Sequence, residues 1–329
     1  ISILKTRATL NQFEKKKPQE GRFSGTYQGE SYDFRLSIIP VLAGERAEIR
    51  LLRKDKNIAR LGELGFSRTA LERIQGLLRS PKGLILFTGP GGSGKTTSVF
   101  AAVNAIETPE KCIITVEDPV EYRLPYASQV QLPSDRSFNF ADALRAILRQ
   151  NPNVILIGEI RDAETGVVAA EAALTGNLVL STMLSTDAIG VIPRLANLGI
   201  QPFWLASTMA GVVYQQLIRK ICPECKQEAK PKDEELAIII PCLQQTGEHF
   251  FCEGKGCQSC GGTGYQGRTV ISEVISISMR FRDLILQSAS SIEMRTEATN
   301  CGFQSIRVEA AEKVTMGLIS VSEFVRVLG

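Results

Sequence analysis

No stretch of eighteen consecutive apolar residues occurs in the 329-residue chain, so it holds no candidate transmembrane helix. A charged leader followed by a short apolar core is also missing, which excludes a recognisable secretory signal and makes the cytoplasm the expected compartment. Neither sign of charge dominates: 38 Lys plus Arg face 35 Asp plus Glu, a formal net charge of +3. Net charge therefore lends no support to a nucleic-acid-binding surface, and no stable nucleic-acid partner is expected, although a local basic channel is compatible with this balance. Histidine is almost absent; His249 stands alone in a polar, cysteine-rich segment and is expected to be solvent-exposed. No internal repeat is visible. The opening Ile1-Ser2-Ile3-Leu4 lacks an initiator methionine and suggests a fragment of a longer protein.

What is present is globular. With 43% apolar and 22% charged residues, the chain suits about two domains and one substantial core. Leu84-Ile85-Leu86-Phe87-Thr88 is an apolar run of strand type, followed at once by Gly89-Pro90-Gly91-Gly92-Ser93-Gly94-Lys95-Thr96-Thr97. Ser98 to Ile106 then reads as helix. Strand, Gly-rich loop and helix in this order form a Walker A phosphate loop. The glycines let backbone N–H groups turn toward phosphate oxygens, and the helix N-terminus adds positive potential. Lys95 is expected to reach the β- and γ-phosphates, and the Thr96 hydroxyl to ligate Mg²⁺.

Residues 1–55 read as a small domain: alternation over 23–29, 31–39 and 46–52 predicts an antiparallel sheet with one wet face. Residues 56–65 read as a linker. From Ser67 the spacing of Leu71, Ile74, Leu77 and Leu78 predicts a helix that Pro81 stops. Strands at 84–88, 112–116, 154–158 and 178–182 alternate with helices near 97–107, 139–149 and 162–174. This alternation over 66–221 argues a mostly parallel sheet covered on both faces, with the phosphate loop at its carboxyl end. Residues 222–268 are polar and rich in Cys and Gly, and 269–329 read as a helical region with helices near 279–288 and 305–317.

Two acidic strand ends accompany the loop. Val154-Ile155-Leu156-Ile157-Gly158-Glu159 ends on an acid that fits a Walker B role beside Mg²⁺, and Ile113-Ile114-Thr115-Val116-Glu117 places a second carboxylate where an in-line water could be polarised. Residue type and position leave open which acid serves water and which serves metal; Glu117 is favoured for the water. Eight cysteines include Cys222-Pro223-Glu224-Cys225 and Cys257-Gln258-Ser259-Cys260. Two such knuckles predict a four-thiolate Zn²⁺ site in a reducing compartment, stapling a subdomain with little core of its own. Cys252 is a possible decoy, and Cys112, Cys242 and Cys301 are expected to be structural.

With both acidic elements in view, the chain closely resembles, over essentially its whole length, the secretion ATPases that drive type II secretion and type IV pilus assembly. The resemblance is carried by Ile114–Tyr122, the family's aspartate box, by Arg145-Ala146-Ile147-Leu148-Arg149-Gln150-Asn151-Pro152, and by Gly158-Glu159-Ile160-Arg161-Asp162. It implies a RecA-like P-loop NTPase core, an α/β fold, with a small N-terminal α+β domain and a C-terminal tetracysteine subdomain plus helices. It further implies ATP hydrolysis with Glu117 as the catalytic acid and Glu159 as the Walker B acid. Arg35 and Arg50 on the small sheet, with Arg149 and Arg161 in the core, match phosphate-contacting residues. A homo-hexamer is implied, as are partners among inner-membrane platform and cytoplasmic-docking proteins, with peripheral attachment to that membrane. The cysteine module tilts the likeness toward the assembly and export branches, since the retraction branch lacks it. The chain departs from the family at its histidine box: Asn177 and Leu184 replace two histidines, and Leu184 can carry no proton. Slow or partner-dependent hydrolysis is one expectation from that departure. A DNA-translocating relative and a nucleotide-gated scaffold with negligible turnover are the alternative functions.

Overall fold

Sequence alternation over the first fifty residues is realised as a three-stranded antiparallel sheet, β1 (Gln19–Tyr27), β2 (Glu30–Val41) and β3 (Gly44–Arg53), in the order β1-β2-β3. A short helix, α1 (Ser2–Arg7), precedes it. Ala8, Leu36 and Ile38 form its small buried cluster, separate from the clusters of the core. Lys5 is fully buried here; its ammonium donates to the Glu14 carbonyl at 2.6 Å and to the Glu45 carboxylate at 2.5 Å, so the buried charge is paired. These features come from a computed structural model that describes residues 1–53, 58–133, 137–243 and 249–329, with backbone only at 52 and 53.

The expected alternation follows. The helix α2 (Arg68–Leu78) is capped by Ser67, whose hydroxyl accepts from the Ala70 N–H. It leads to β4 (Gly83–Thr88), α3 (Lys95–Ile106), β5 (Ile113–Glu117) and β6 (Ser128–Gln131). Next come α4 (Phe140–Leu148), β7 (Val154–Ile157), α5 (Ala163–Leu174) and β8 (Leu178–Met183). Two short helices, α6 (Val191–Asn197) and α7 (Pro202–Thr208), precede the thirteen-residue strand β9 (Met209–Ile221). A small hairpin-like pair, β10 (Lys226–Ala229) and β11 (Phe251–Gly254), flanks α8 (Asp233–Ile239). The chain ends with β12 (Tyr265–Ser276) and helices α9 (Met279–Leu286), α10 (Ser291–Asn300), α11 (Ile306–Thr315) and α12 (Val321–Leu328).

Seven strands form the main sheet in the order β12-β9-β4-β8-β7-β5-β6. The neighbours from β9 to β6 are parallel, and β12 alone is antiparallel, paired with β9. Strands β4, β5, β7 and β8 are buried at every residue, as befits parallel strands covered on both faces. Alternation sorts their side chains: Ile85, Phe87, Leu178 and Leu180 pack with α2 and α3, whereas Leu84, Leu86, Val179 and Ile157 pack with α4 and α5.

Two differences from the sequence expectation concern the far end of this sheet. Residues 269–276, expected to open a helical region, continue β12 past position 268, and 269–275 are its buried part. β9 was not anticipated as a strand, because its polar Gln215, Gln216, Arg219 and Lys220 interrupt the apolar pattern; pairing with β4 and β12 overrides that pattern. Within the expected linker, 56–57 lie outside the described residues, and Leu61–Glu63 is a short 3₁₀ turn with Leu61 buried. Buried carboxylates bind the C-terminal helices to the sheet: Glu309 accepts from Ser272 on β12 and from Lys313, and Glu273 accepts from the Ala188 and Ile306 N–H groups. Among the described residues, no helix is long and apolar enough to cross a membrane.

Candidate active site

The chain leaves the sheet at Thr88, and Gly89 takes a φ of +145°. A Cβ there would lie 2.2 Å from the Gln215 carbonyl on β9, so only glycine permits this close approach. Gln215 is fully buried and donates its side-chain amide to the Ser93 carbonyl at 2.8 Å, bracing the loop from the neighbouring strand. The loop closes on Gly94, at φ +84°, the N-cap of α3. No side chain caps α3, so its first N–H groups face the loop. The Lys95 ammonium folds back to donate to the carbonyls of Gly89 at 3.0 Å and Pro90 at 2.7 Å. Burial holds its pKa below the ordinary lysine value, while the Glu159 carboxylate pulls the other way.

Beside the loop opens a cavity of about 440 Å³, lined by Gly91, Lys95, Thr96, Glu117, Asp118, Glu159, Arg50 and Arg161 among others. Glu117, the last residue of β5, is only 3% exposed. Its Oε1 accepts from the Thr115 hydroxyl at 2.6 Å and from the Gln129 amide at 3.1 Å. Burial raises its pKa above the ordinary carboxylate value, and these two hydrogen bonds oppose that rise. Glu159 bonds Arg161, and the pairing raises the guanidinium pKa. The preceding Gly158 carbonyl accepts from the Thr182 hydroxyl at 2.7 Å.

The structure thus brings Lys95, Thr96, Glu117, Glu159, Arg50 and Arg161 around one cavity. The other sequence candidates fall elsewhere. Arg35 lies in a neighbouring cleft and faces Glu20 at 3.6 Å. Arg149 is exposed at the C-cap of α4. Thr97 turns toward the Tyr122 hydroxyl at 3.2 Å. Of the two positions where the resemblance expects histidine, Leu184 lines the cavity, but Asn177 sits at the opposite end of β8 and donates to the Pro152 carbonyl at 2.5 Å. Sequence reasoning missed Arg22, Thr115, Gln129 and Gln215. Thr115 had a signal, since two positions along a strand share a face; the others meet the site only through long-range folding.

The four cysteines converge. Sγ–Sγ distances are 3.9 Å for Cys222–Cys257, 3.9 Å for Cys225–Cys260 and 3.7 Å for Cys257–Cys260, and all four lie within 4.8 Å of one another. A tetrahedron with metal–sulfur bonds of about 2.3 Å has edges of about 3.8 Å, so this set could hold a metal ion. Backbone N–H groups already point at sulfur: Gly256 to Cys225, Cys257 to Cys260 and Gly264 to Cys260. Donation from Cys257, opposed by burial and helped by Gly264, lowers the Cys260 thiol to about 6. Cys252 lies on β11 outside the cluster, and Cys112 and Cys301 are exposed.

A phosphate loop at the carboxyl end of a parallel sheet, faced by acids from two neighbouring strands, defines a P-loop nucleotide-binding α/β protein. The chain belongs to the type II/IV secretion system protein family, whose model matches residues 1–326. It is 39% identical to the type IV pilus assembly ATPase PilB of Thermus thermophilus over 98% of this chain and 36% of that protein. It is 41% identical to the type II secretion system protein E of Pseudomonas aeruginosa over 99% of this chain and 64% of that one. The chain therefore spans roughly one third to two thirds of the curated relatives it matches. Among solved structures, the pilus retraction motor PilT with bound ADP superposes with a TM-score of 0.67 at 26% identity, covering 94% of this chain and 77% of that one. The ATPase DotB of Legionella pneumophila, at 23% identity and a TM-score of 0.66 over 95% of this chain and 77% of that one, shares the fold.

Proposed function

We propose that the chain binds ATP with Mg²⁺ and hydrolyses it to power assembly of a type IV pilus or a type II secretion pseudopilus. The observation that carries this reading is the single cavity in which Lys95 and Thr96 of the loop face Glu117 and Glu159. Loop N–H groups and Lys95 bind the phosphates once Lys95 leaves its loop carbonyls. Thr96 and Glu159 are the residues that would hold Mg²⁺, which would supply positive charge against the phosphates. Glu117 takes the proton of the attacking water, and its raised pKa makes it a stronger base than an exposed carboxylate. Arg50 and Arg161 supply positive charge to the transition state, with Arg35 and Arg149 brought in from other positions or other subunits.

The tetracysteine cluster is a structural Zn²⁺ site in this reading, supported by its four converging sulfurs and their spacing. Identity to assembly and secretion proteins near 40%, against 26% to the retraction motor, supports the assembly side. The working form is a homo-hexamer attached to the inner membrane through platform and docking proteins. The division into 1–55, 66–221, 222–268 and 269–329 is a working description of its parts. A second reading, a nucleotide-gated scaffold with weak turnover, is favoured by Leu184, which puts an apolar side chain in the cavity.

Phosphate release by the assembled full-length protein, with and without its membrane partner, separates the readings. Turnover is expected to vanish in Lys95→Ala together with ATP affinity, and to fall at least 100-fold in Glu117→Gln while affinity persists, on the order expected for a lost general base. Wild-type protein that binds ATP but releases no phosphate under either condition would favour the scaffold.

A further inference from the structure

We infer that Arg22, on β1 of the small sheet, is a positioning residue that sets the acidic end of β5 relative to the nucleotide cavity. The inference rests on the hydrolytic reading above. The Arg22 Nη2 donates to Asp118 Oδ1 at 2.5 Å across a sequence separation of 96 residues. The two side chains are 25% and 29% exposed, so solvent screens this pair less than an ordinary surface ion pair. Asp118 directly follows Glu117 and itself lines the cavity.

The two adjacent acids are held by different parts of the molecule. Thr115 and Gln129, both in the core, fix the Glu117 carboxylate, while the small sheet holds that of Asp118. A displacement of the small sheet is therefore transmitted to the backbone one residue from the base. Apolar packing gives little to fix that sheet, since its cluster of Ala8, Leu36 and Ile38 does not merge with the clusters on either face of the main sheet. The charged pair then has a disproportionate share in its placement.

Arg22 also has the signature of a residue kept for position. Its Nη1 is buried and, among the described residues, has no hydrogen-bond partner, so the guanidinium fork is half used. Beside it lies a cleft of about 240 Å³ bounded by Asp33, Arg35, Pro119 and Gln131. An arginine placed only to solvate the sheet would keep both terminal nitrogens in water. Here one N–H is desolvated to bring the other onto Asp118.

A double-mutant cycle in the full-length protein tests this. Arg22→Gln and Asp118→Asn are each expected to lower kcat about tenfold, with KM for ATP and affinity for a non-hydrolysable ATP analogue within about twofold, because a small misplacement of a catalytic group acts on turnover. The double variant is expected to lose about tenfold as well, since both changes break one interaction. Arg22→Lys, which keeps the charge on a single-point donor, is expected to fall between. If Arg22→Gln does not fold, the cycle of Arg22→Lys with Asp118→Asn reads the same coupling. Native kcat in the single variants, losses that multiply to about 100-fold in the double variant, or losses in affinity instead of turnover would overturn the assignment. A wild-type protein that fails to hydrolyse ATP would instead remove the reading on which it rests.

Discussion

Glu117 shows what burying a carboxylate costs the resting protein. A carboxylate that is 3% exposed, accepting from the neutral Thr115 hydroxyl and Gln129 amide, is held in a state that folding disfavours. Its folded pKa lies above the unfolded value, so as pH rises through that interval the unfolded chain releases its proton first and stability falls. Glu117→Gln is therefore expected to raise the melting temperature of nucleotide-free protein by roughly 2–4 °C at neutral pH. That advantage should shrink as pH falls toward 4.5, the ordinary glutamate value, which scanning calorimetry across pH would read. A variant that is catalytically dead yet melts higher would mark Glu117 as a residue retained for chemistry. Thr115, two positions earlier on the same strand face, was legible beside it; Gln129 was not, because only the parallel pairing of β5 with β6 carries it there.

β9 joins the two sites at the level of elements. Gln215 in its middle braces the phosphate loop, and the residue after its last, Cys222, is the first member of the cysteine cluster. Between them Arg219 lies over the Tyr265 ring at 4.0 Å and pairs with the fully buried Glu323. Burial works to raise the Glu323 pKa, but hydrogen bonds from Arg326 and Arg219 outweigh it and bring it down to about 2. The stability this carboxylate contributes is present above pH 4.5 and is lost as pH falls toward about 2. Glu323→Gln is expected to destabilise the protein at neutral pH and to lose sensitivity in that acid interval. The cysteine module depends on its own constraint. Gly254 and Gly264 approach so closely that a Cβ on Gly254 would lie 2.0 Å from the Gly264 carbonyl, and Ile239 and Phe251 of the same segment are anchored in the main core cluster. Cys225→Ser is expected to abolish stoichiometric zinc, measured by elemental analysis, and to open residues 222–264 to protease while the main sheet still melts cooperatively.

For the whole molecule, the cavity lies against both the core and the small sheet, because Arg50 of β3 lines it alongside the phosphate loop. A ligand that contacts both units stabilises their closed arrangement by mass action. Mg²⁺ with a non-hydrolysable ATP analogue at about 100 times its Kd is expected to raise the melting temperature by about 5 °C, and Lys95→Ala to abolish the shift. Arg35 and Arg149 stand away from that cavity in the single chain, so a role for them in hydrolysis requires movement of the small sheet or a neighbouring subunit. Sedimentation with and without nucleotide would show whether assembly accompanies binding.

Local information in the sequence determined the phosphate loop, the alternating strands and helices around it, the two acidic strand ends and the paired cysteine knuckles. Each is a pattern of near neighbours whose backbone or side-chain requirement is met within a few residues. Tertiary structure alone decided that β9 and β12 extend the sheet, that Gln215 braces the loop, that Arg22 reaches Asp118 and that Asn177 lies far from the cavity. Those outcomes depend on which strands pair and which ends of them meet, and no short window of residues encodes a pairing between segments a hundred positions apart.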